Sequence, residues 1–530
     1  MTQTLCGSVL LAFVSIGSVA CDDHDLPIGP PGGPVGVAAI RISPGAVTLH
    51  ALGDSAQLAA VALDSAGNEI AGVAISWTNT DAGVATVNAA GWVVARSDGT
   101  AAAVASAGSV ADTVSVTVAQ VTAAVEVSPS AVSIAEGDTV RLVAVATDSN
   151  GVAIEDAAVE WEIEDDAVAT VDASGLVTAV REGEAVVTAR ARGLTRTATI
   201  TVLGKIAFIS DRTGTRRIHV MNADGSGIAQ LTDADLRGTF AWSPDGGRIA
   251  FAKLDGDVVD VYTVAADGSG LTRITNDPYR NMDPVWSPDG SQIAVVNDTS
   301  TRFGIIPYGE IHVVAANGSG QSVAITRLED GAFDREPAWS PDGTRIAFRR
   351  ASGNRWDIYV KAANGSGEAV NLTEGMEGRS SQPVWSPDAT RIAFHNYTRP
   401  GGTGEDLDIY VIAADGSGEA RNVTNNVLAN DLWPAWSPDG SRIAFYSFRN
   451  GEPDIYVVDV DSGDIVGLTD TPTVADAFPS WSPDGTKITF SSFREGNNWD
   501  IYVMNADGSG ETRLTSHEAR DFPSRWRPRP

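Results

Sequence analysis

Cysteine is nearly absent. The 530-residue chain has two, Cys6 and Cys21, both near the N-terminus. A disulfide framework or a thiolate metal site is therefore excluded from the body of the chain. Histidine is scarce too, with 6 in all, and none stands in an H-E-x-x-H pair. No G-x-S-x-G elbow in a strand-to-helix setting, no P-loop and no dinucleotide fingerprint is visible. Positive charge is in deficit: 37 Lys and Arg stand against 68 Asp and Glu, a net charge of −31. Such a surface repels phosphate backbones, which excludes nucleic acid as a partner. Long helical patterns are missing as well.

What is present points to strands. Gly 54 and Pro 25 mark many turns, and short Val/Ile/Thr-rich runs lie between them. That is the all-β signal, in a chain long enough for several domains. At the N-terminus, "LCGSVLLAFVSIGSVAC" is too short for a good membrane span and reads as a secretory h-region. The "SVAC" that ends at Cys21 resembles a bacterial lipobox, which implies cleavage before Cys21 and its lipidation. Plain secretion, with Cys21 a spent thiol, is the rival. Residues 1–20 are read as signal peptide and 21–36 ("CDDHDLPIGPPGGPVG") as a Pro/Gly-rich tether.

Two related segments follow, 37–119 and 120–203. Ser43-Pro44, Gly53-Asp54, Trp77 and Gly91 recur as Ser128-Pro129, Gly137-Asp138, Trp161 and Gly175. The offset of about 85 residues is the size of a small sandwich. Trp77 and Trp161 are expected to plug the space between two sheets. The shared "V-x-W…VATV-x-x-x-G-x-V-x-A" pattern resembles the bacterial Ig-like domain, group 2, whose members usually serve as spacers or stalks.

From residue 204 to 530 the chain repeats at about 45 residues, a blade-like period. "WSPDG" stands at Trp242, Trp286, Trp339, Trp436 and Trp481, "WSPDA" at Trp385, and a degenerate copy at Trp526. Each repeat holds four short strand runs, with "SPDG" and "ADGSG" as turns. The Trp strand and the strand after it each occur seven times, out of phase, so the Trp526 strand is expected to complete the sheet begun at Lys205. The predicted fold is all-β: two Ig-like sandwiches, then a seven-bladed propeller, with six blades as the alternative. The repeat "P-x-W-S-P-D-G-x-x-I-A-F…D-I-Y-V…D/N-G-S-G…L-T" resembles the TolB-type WD40-like propeller repeat. The resemblance implies partner binding at the propeller face or channel.

Candidate chemistry is sparse. The "WSPDG" aspartates read as turn residues, and "NADGSG" at Asn222–Gly227 lacks the position-twelve Glu of a calcium loop. The position five residues before each Trp varies: Arg237, Asn281, Asp334, Ser380, Asp431, Asp476 and Asp521. Variable residues on a repeated frame suit a binding site, so Asn281, Asp334, Asp431, Asp476 and Asp521 are the candidate channel-mouth set. Clustered carboxylates attract a cation, either a divalent metal or a Lys/Arg side chain; pairing with a neighbouring Arg is the structural alternative. No catalytic residue, no resident metal and no cofactor are expected.

The functional expectation is an exported, lipid-anchored envelope protein of the periplasm or cell surface. It would be a monomer, touching the membrane through its anchor alone, and would bind a protein, peptide or glycan partner. The alternative is a hydrolase or lyase with a carboxylate or metal site in the channel. Mass spectrometry of the mature N-terminus tests the anchor. Acylated Cys21 as first residue is expected, and an unmodified Cys21 refutes lipidation.

Overall fold

The structure, a computed structural model, describes residues 36–529 apart from 257, 299–308, 328–331, 398–406, 426–428, 472 and 495–497. The expected signal peptide, Cys21 and the tether up to residue 35 lie outside the described residues. Every regular element described is a strand. By contacts the chain divides into two compact units. One holds residues up to Glu126 with Ala144–Glu160 and Arg190–Arg196; the other holds Val127–Val143, Trp161–Ala189 and the chain from Thr197 on.

The first sandwich pairs a four-stranded sheet (Ala46–Leu49, Ser76–Asn79, Gly99–Ala107, Val110–Val118) with two three-stranded sheets. Alternation along Val110–Val118 sends Val114, Val116 and Val118 inward, where they meet Ile40, Ile42 and Val93. The second sandwich repeats the four-stranded order, including the parallel pairing of Ala131–Ala135 with Leu194–Leu203. Trp77 packs against the first core while half-buried. The glycine shared by the two sandwiches explains its partner. Gly175 has φ +78°, and a Cβ there would lie 2.6 Å from the Leu142 carbonyl and 2.9 Å from the Trp161 ring. Gly91 sits the same way under Trp77.

From Lys205 on, the described strands form seven four-stranded antiparallel modules. Six run in chain order: first strand, second, third and a short fourth, as in Asp431–Trp436, Arg442–Ser447, Asp454–Asp459 and Ile465–Gly467. The seventh is built from both ends of the region. Asp521–Trp526 pairs with Lys205–Ser210 in the register Ile206↔Trp526, Ala207↔Arg525 and Phe208↔Ser524. The third and fourth modules touch through a single parallel bridge, Trp356↔Arg379.

Hydrophobic cores lie between consecutive modules. Ala444, Ile455 and Val457 of one pack against Trp481, Ile488 and Phe490 of the next. The last such core joins Ile501, Val503 and Leu514 to Ile206, Phe208 and Trp526, so the series closes on itself. Within a module, the Phe of "IAF" stacks on the Tyr of "DIY", as Phe445 does on Tyr456 at 5.9 Å. The buried "DIY" Asp accepts the hydroxyl of the "LT" Thr: Thr469 Oγ1 to Asp454 at 3.0 Å, Thr275 Oγ1 to Asp260 at 2.8 Å. That bond ties the short fourth strand to the third.

The "WSPDG" stretch acts twice. Its Trp donates an indole N–H to the inner strand of the preceding module: Trp286 to the Ala241 carbonyl (3.1 Å), Trp385 to Ala338 (2.9 Å), Trp436 to Val384 (3.1 Å), Trp481 to Ala435 (3.1 Å) and Trp242 to Arg525 (3.3 Å). Its Asp closes the turn. Asp439 accepts Ser437 Oγ (2.5 Å) and the Ser441 amide (3.0 Å), while Gly440 takes φ +71°. These bonds favour the carboxylate and lower the Asp439 pKa to about 2.

A depressed folded pKa means stability that is present above the unfolded value of 3.8 and lost as pH falls toward 2. Urea unfolding should therefore show Asp439→Asn weaker than wild type at pH 6 and equal to it near pH 2. A difference that persists unchanged at pH 2 contradicts the turn role.

Candidate functional site

The first strands of five modules converge on one cavity of about 490 Å³, lined among others by Glu336, Gln382, Trp433, Phe478 and Arg525. These strands are therefore the inner ones, and the cavity is their common channel.

The residues five before each Trp do not line it. Asn281, Asp334, Asp431, Asp476 and Asp521 have no exposed surface, and Ser380 is buried at 1%. Only Arg237 is exposed among the seven. Each of the four aspartates is held by an arginine of its own module: Asp334 by Arg350 (2.7 and 2.8 Å), Asp431 by Arg449 (3.0 and 3.1 Å), Asp476 by Arg494 (2.5 Å) and Asp521 by Arg212 (2.8 Å). The arginines also lie over the Phe–Tyr stacks, as Arg449 does over Tyr456 at 4.6 Å. Asn281 donates to Asp277 (2.9 Å) and accepts from Asn297 (2.9 Å). The cation these carboxylates attract is internal, and the pairs pin the start of the inner strand to the hairpin beside it. Removing one partner leaves a bare buried charge, which costs about 3–5 kcal/mol.

Two residues further on, the strand changes. Register shifts interrupt the inner ladder between Met282 and Val285, Arg335 and Ala338, Ser381 and Val384, Leu432 and Ala435, and Ala477 and Ser480. Each is a β-bulge, and in each the residue before the Pro has positive φ: Asp283 (51°), Glu336 (56°), Gln382 (55°), Trp433 (61°) and Phe478 (60°). A residue before Pro normally stays extended, and bulky side chains rarely enter this region. Each such residue costs about 1–3 kcal/mol, a strain that persists where surroundings impose it and often marks a functional surface. Four of these five side chains line the channel. The signal was present in the sequence as the variable residue directly before the Pro of "x-P-x-W".

The channel wall has two characters. On one side Trp433 meets Phe478 edge-on at 5.1 Å, and Phe478 reaches Tyr446 (5.7 Å), Trp499 (6.1 Å) and Phe522 (6.1 Å). Burial, then the nearby Tyr397, pushes the Tyr446 hydroxyl up to about 12, so it stays protonated. On the other side Glu336 accepts the Gln382 amide (2.7 Å) and lies 3.5 Å from Arg349, which covers the Trp356 ring at 4.6 Å. Burial raises the Asp283 pKa against the pull of Arg335 and Arg349. Burial likewise lowers that of Arg349.

Behind that wall Ser381 and His395 stand 2.6 Å apart, Oγ to Nε2, both buried. His395 Nδ1 has no partner among the described residues, so no carboxylate orients the ring as a base. The pair reads as packing. Among the described residues no group of three His, Cys, Asp or Glu could hold a metal.

Residues 311–474 and 434–529 match the TolB beta propeller domain family, and 121–202 match the bacterial Ig-like domain (group 2). The chain carries a TolB-type propeller. It is 30% identical over 220 residues to a protein TolB homolog of Chlorobium luteolum, covering 41% of this chain and 35% of that protein. It is 28% identical over 276 residues to the Tol-Pal system protein TolB of Bordetella pertussis, covering 48% and 59%. The chain thus spans about a third to somewhat over half the length of these curated relatives. The crystal structure of TolB from Acinetobacter baumannii overlaps at TM-score 0.41 and 18% identity, covering 68% and 82%. In this TolB-type propeller the repeat motif builds the frame, while the bulge residues differ from module to module.

His395 supplies a pH test of the wall. Burial, then the nearby Arg349, lowers its pKa from 6.5 to about 4. The unfolded chain takes up a proton below 6.5 that the folded chain refuses until about 4, so stability falls across that window. Thermal unfolding from pH 7.5 to 4 should show this fall, and His395→Gln should flatten it. An equal fall in the variant would contradict a buried neutral imidazole.

Proposed function

We propose that the chain is an exported cell-envelope protein whose propeller channel binds a protein or peptide partner. The seven modules are the seven blades of one ring, residues 204–530, and the Ig-like segments 37–119 and 120–203 are its spacers. One observation carries this reading: the bulges aim strained, variable side chains into the channel while their neighbours are spent on the frame. Strain is kept where surroundings impose it, and here the packing imposes it in five successive modules. The likeness to Tol-Pal system TolB supports envelope placement and a protein partner. A lipid anchor at Cys21 is part of the same proposal. The Ser381–His395 pair is no part of the proposed site: both residues are buried, and His395 Nδ1 has no partner among the described residues.

Partner capture from envelope extracts tests it. Trp433→Ala with Phe478→Ala removes the aromatic wall without touching the buried Asp–Arg pairs. Loss of ten-fold or more of the captured partner is expected, the scale for two aromatic anchors. Capture unchanged in a folded double variant would place the binding surface elsewhere.

A further inference from the structure

The position directly before each Trp is small in six modules: Ala241, Val285, Ala338, Val384, Ala435 and Ser480. In the seventh it is Arg525. Its backbone carbonyl is used, accepting the Trp242 indole at 3.3 Å. Its side chain is exposed into the channel, and among the described residues no carboxylate pairs with it. Most arginines of the propeller face a carboxylate or cap a ring. The acid on the same cavity, Glu336, is occupied by Arg349 and the Gln382 amide. Arg525 is thus an uncompensated cation in the throat of a chain whose net charge is −31.

We infer that Arg525 receives a carboxylate of an apolar peptide segment that lies against Trp433 and Phe478. The guanidinium offers a planar fork that matches a carboxylate bidentately. The group faces the channel rather than bulk solvent, and the protein packed around that channel disfavours its charge, lowering its pKa. An arriving anion relieves that cost, and away from bulk water the pair is stronger. The remaining wall favours peptide over sugar. Pro337, Pro383, Pro434, Pro479 and Pro523 line the cavity and offer no N–H, so ring hydroxyls of a glycan would lose partners there. An aromatic or aliphatic side chain loses none.

The inference rests on the channel being the partner site. Its test uses octapeptides with one Phe or Trp next to the C-terminus, binding measured by calorimetry to the full chain. Each peptide is offered as free acid, as C-terminal amide, and as amide with one internal Glu. Wild type should bind a carboxylate form about ten-fold or more tighter than the neutral amide, the scale of a charged bidentate contact. Preference for the free acid identifies a chain terminus, and preference for the Glu amide an acidic side chain; both support the inference. Arg525→Gln should bind all three alike, at the neutral-amide level, with its melting temperature unchanged. A carboxylate preference retained by Arg525→Gln overturns the inference. Equal binding of all forms by wild type, abolished by Trp433→Ala, overturns it while leaving the channel reading intact. No peptide binding, with a uronic-acid oligosaccharide bound instead, overturns both.

Discussion

The indole N–H of the repeated Trp holds the propeller together where it is narrowest. Each bond crosses from one inner strand to the next, at 2.9 to 3.3 Å in five of the seven modules. Among the described residues, Trp339 and Trp526 have no partner for this nitrogen. The indole also packs into the core between modules, so one side chain serves both the apolar seam and the polar belt. Arginines of the preceding module cover it from outside, as Arg345 covers Trp385 at 4.7 Å and Arg442 covers Trp481 at 4.9 Å. The turn that follows is closed by Ser and Asp, which fixes where the Trp side chain can point.

The inner strand is therefore pinned at both ends. Both clamps are seen in Asp431–Trp436 and Asp476–Trp481: at the start a buried Asp is held by Arg449 or Arg494, and at the finish the Trp is held by a neighbour's carbonyl. Between them the bulge adds a residue that the ladder cannot absorb. The extra length is discharged as positive φ at the position before Pro, and the side chain there leaves the sheet for the channel. Rigidity at the ends and display in the middle are one arrangement. Trp433 and Phe478 hold conformations that an isolated strand would not adopt. Their projection is set by the frame before any partner arrives, which lowers the ordering cost of binding.

Much of this was legible in the sequence. Turn chemistry, strand period and the recurrence of "WSPDG" located the four-stranded repeat, and the out-of-phase count located the pairing of the Trp526 strand with the strand that begins at Lys205. The two Ig-like segments were legible from the spacing of Trp77–Gly91 and Trp161–Gly175, and Gly175 shows why: the indole and the Leu142 carbonyl leave no room for a Cβ. The channel residues were misplaced by two positions. Variation at Asp334, Asp431 and Asp476 looked like a site, but their partners Arg350, Arg449 and Arg494 lie 16 to 18 residues downstream, across a hairpin. Period-2 counting also fails at a bulge, where one added residue changes which face a side chain takes. Nothing in the spacing announced that shift except the proline itself.

Cysteine accessibility tests the arrangement most directly, because the body of the chain has no cysteine of its own. Gln382→Cys and Ser380→Cys lie two residues apart on the same inner strand. Native-state labelling with a small maleimide should modify the cysteine at 382 rapidly. The cysteine at 380 should stay protected, on the order of a hundred-fold slower, until denaturant opens the sheet. Equal labelling at both positions, or protection at 382 with reaction at 380, would contradict the division of the strand into frame and displayed residue.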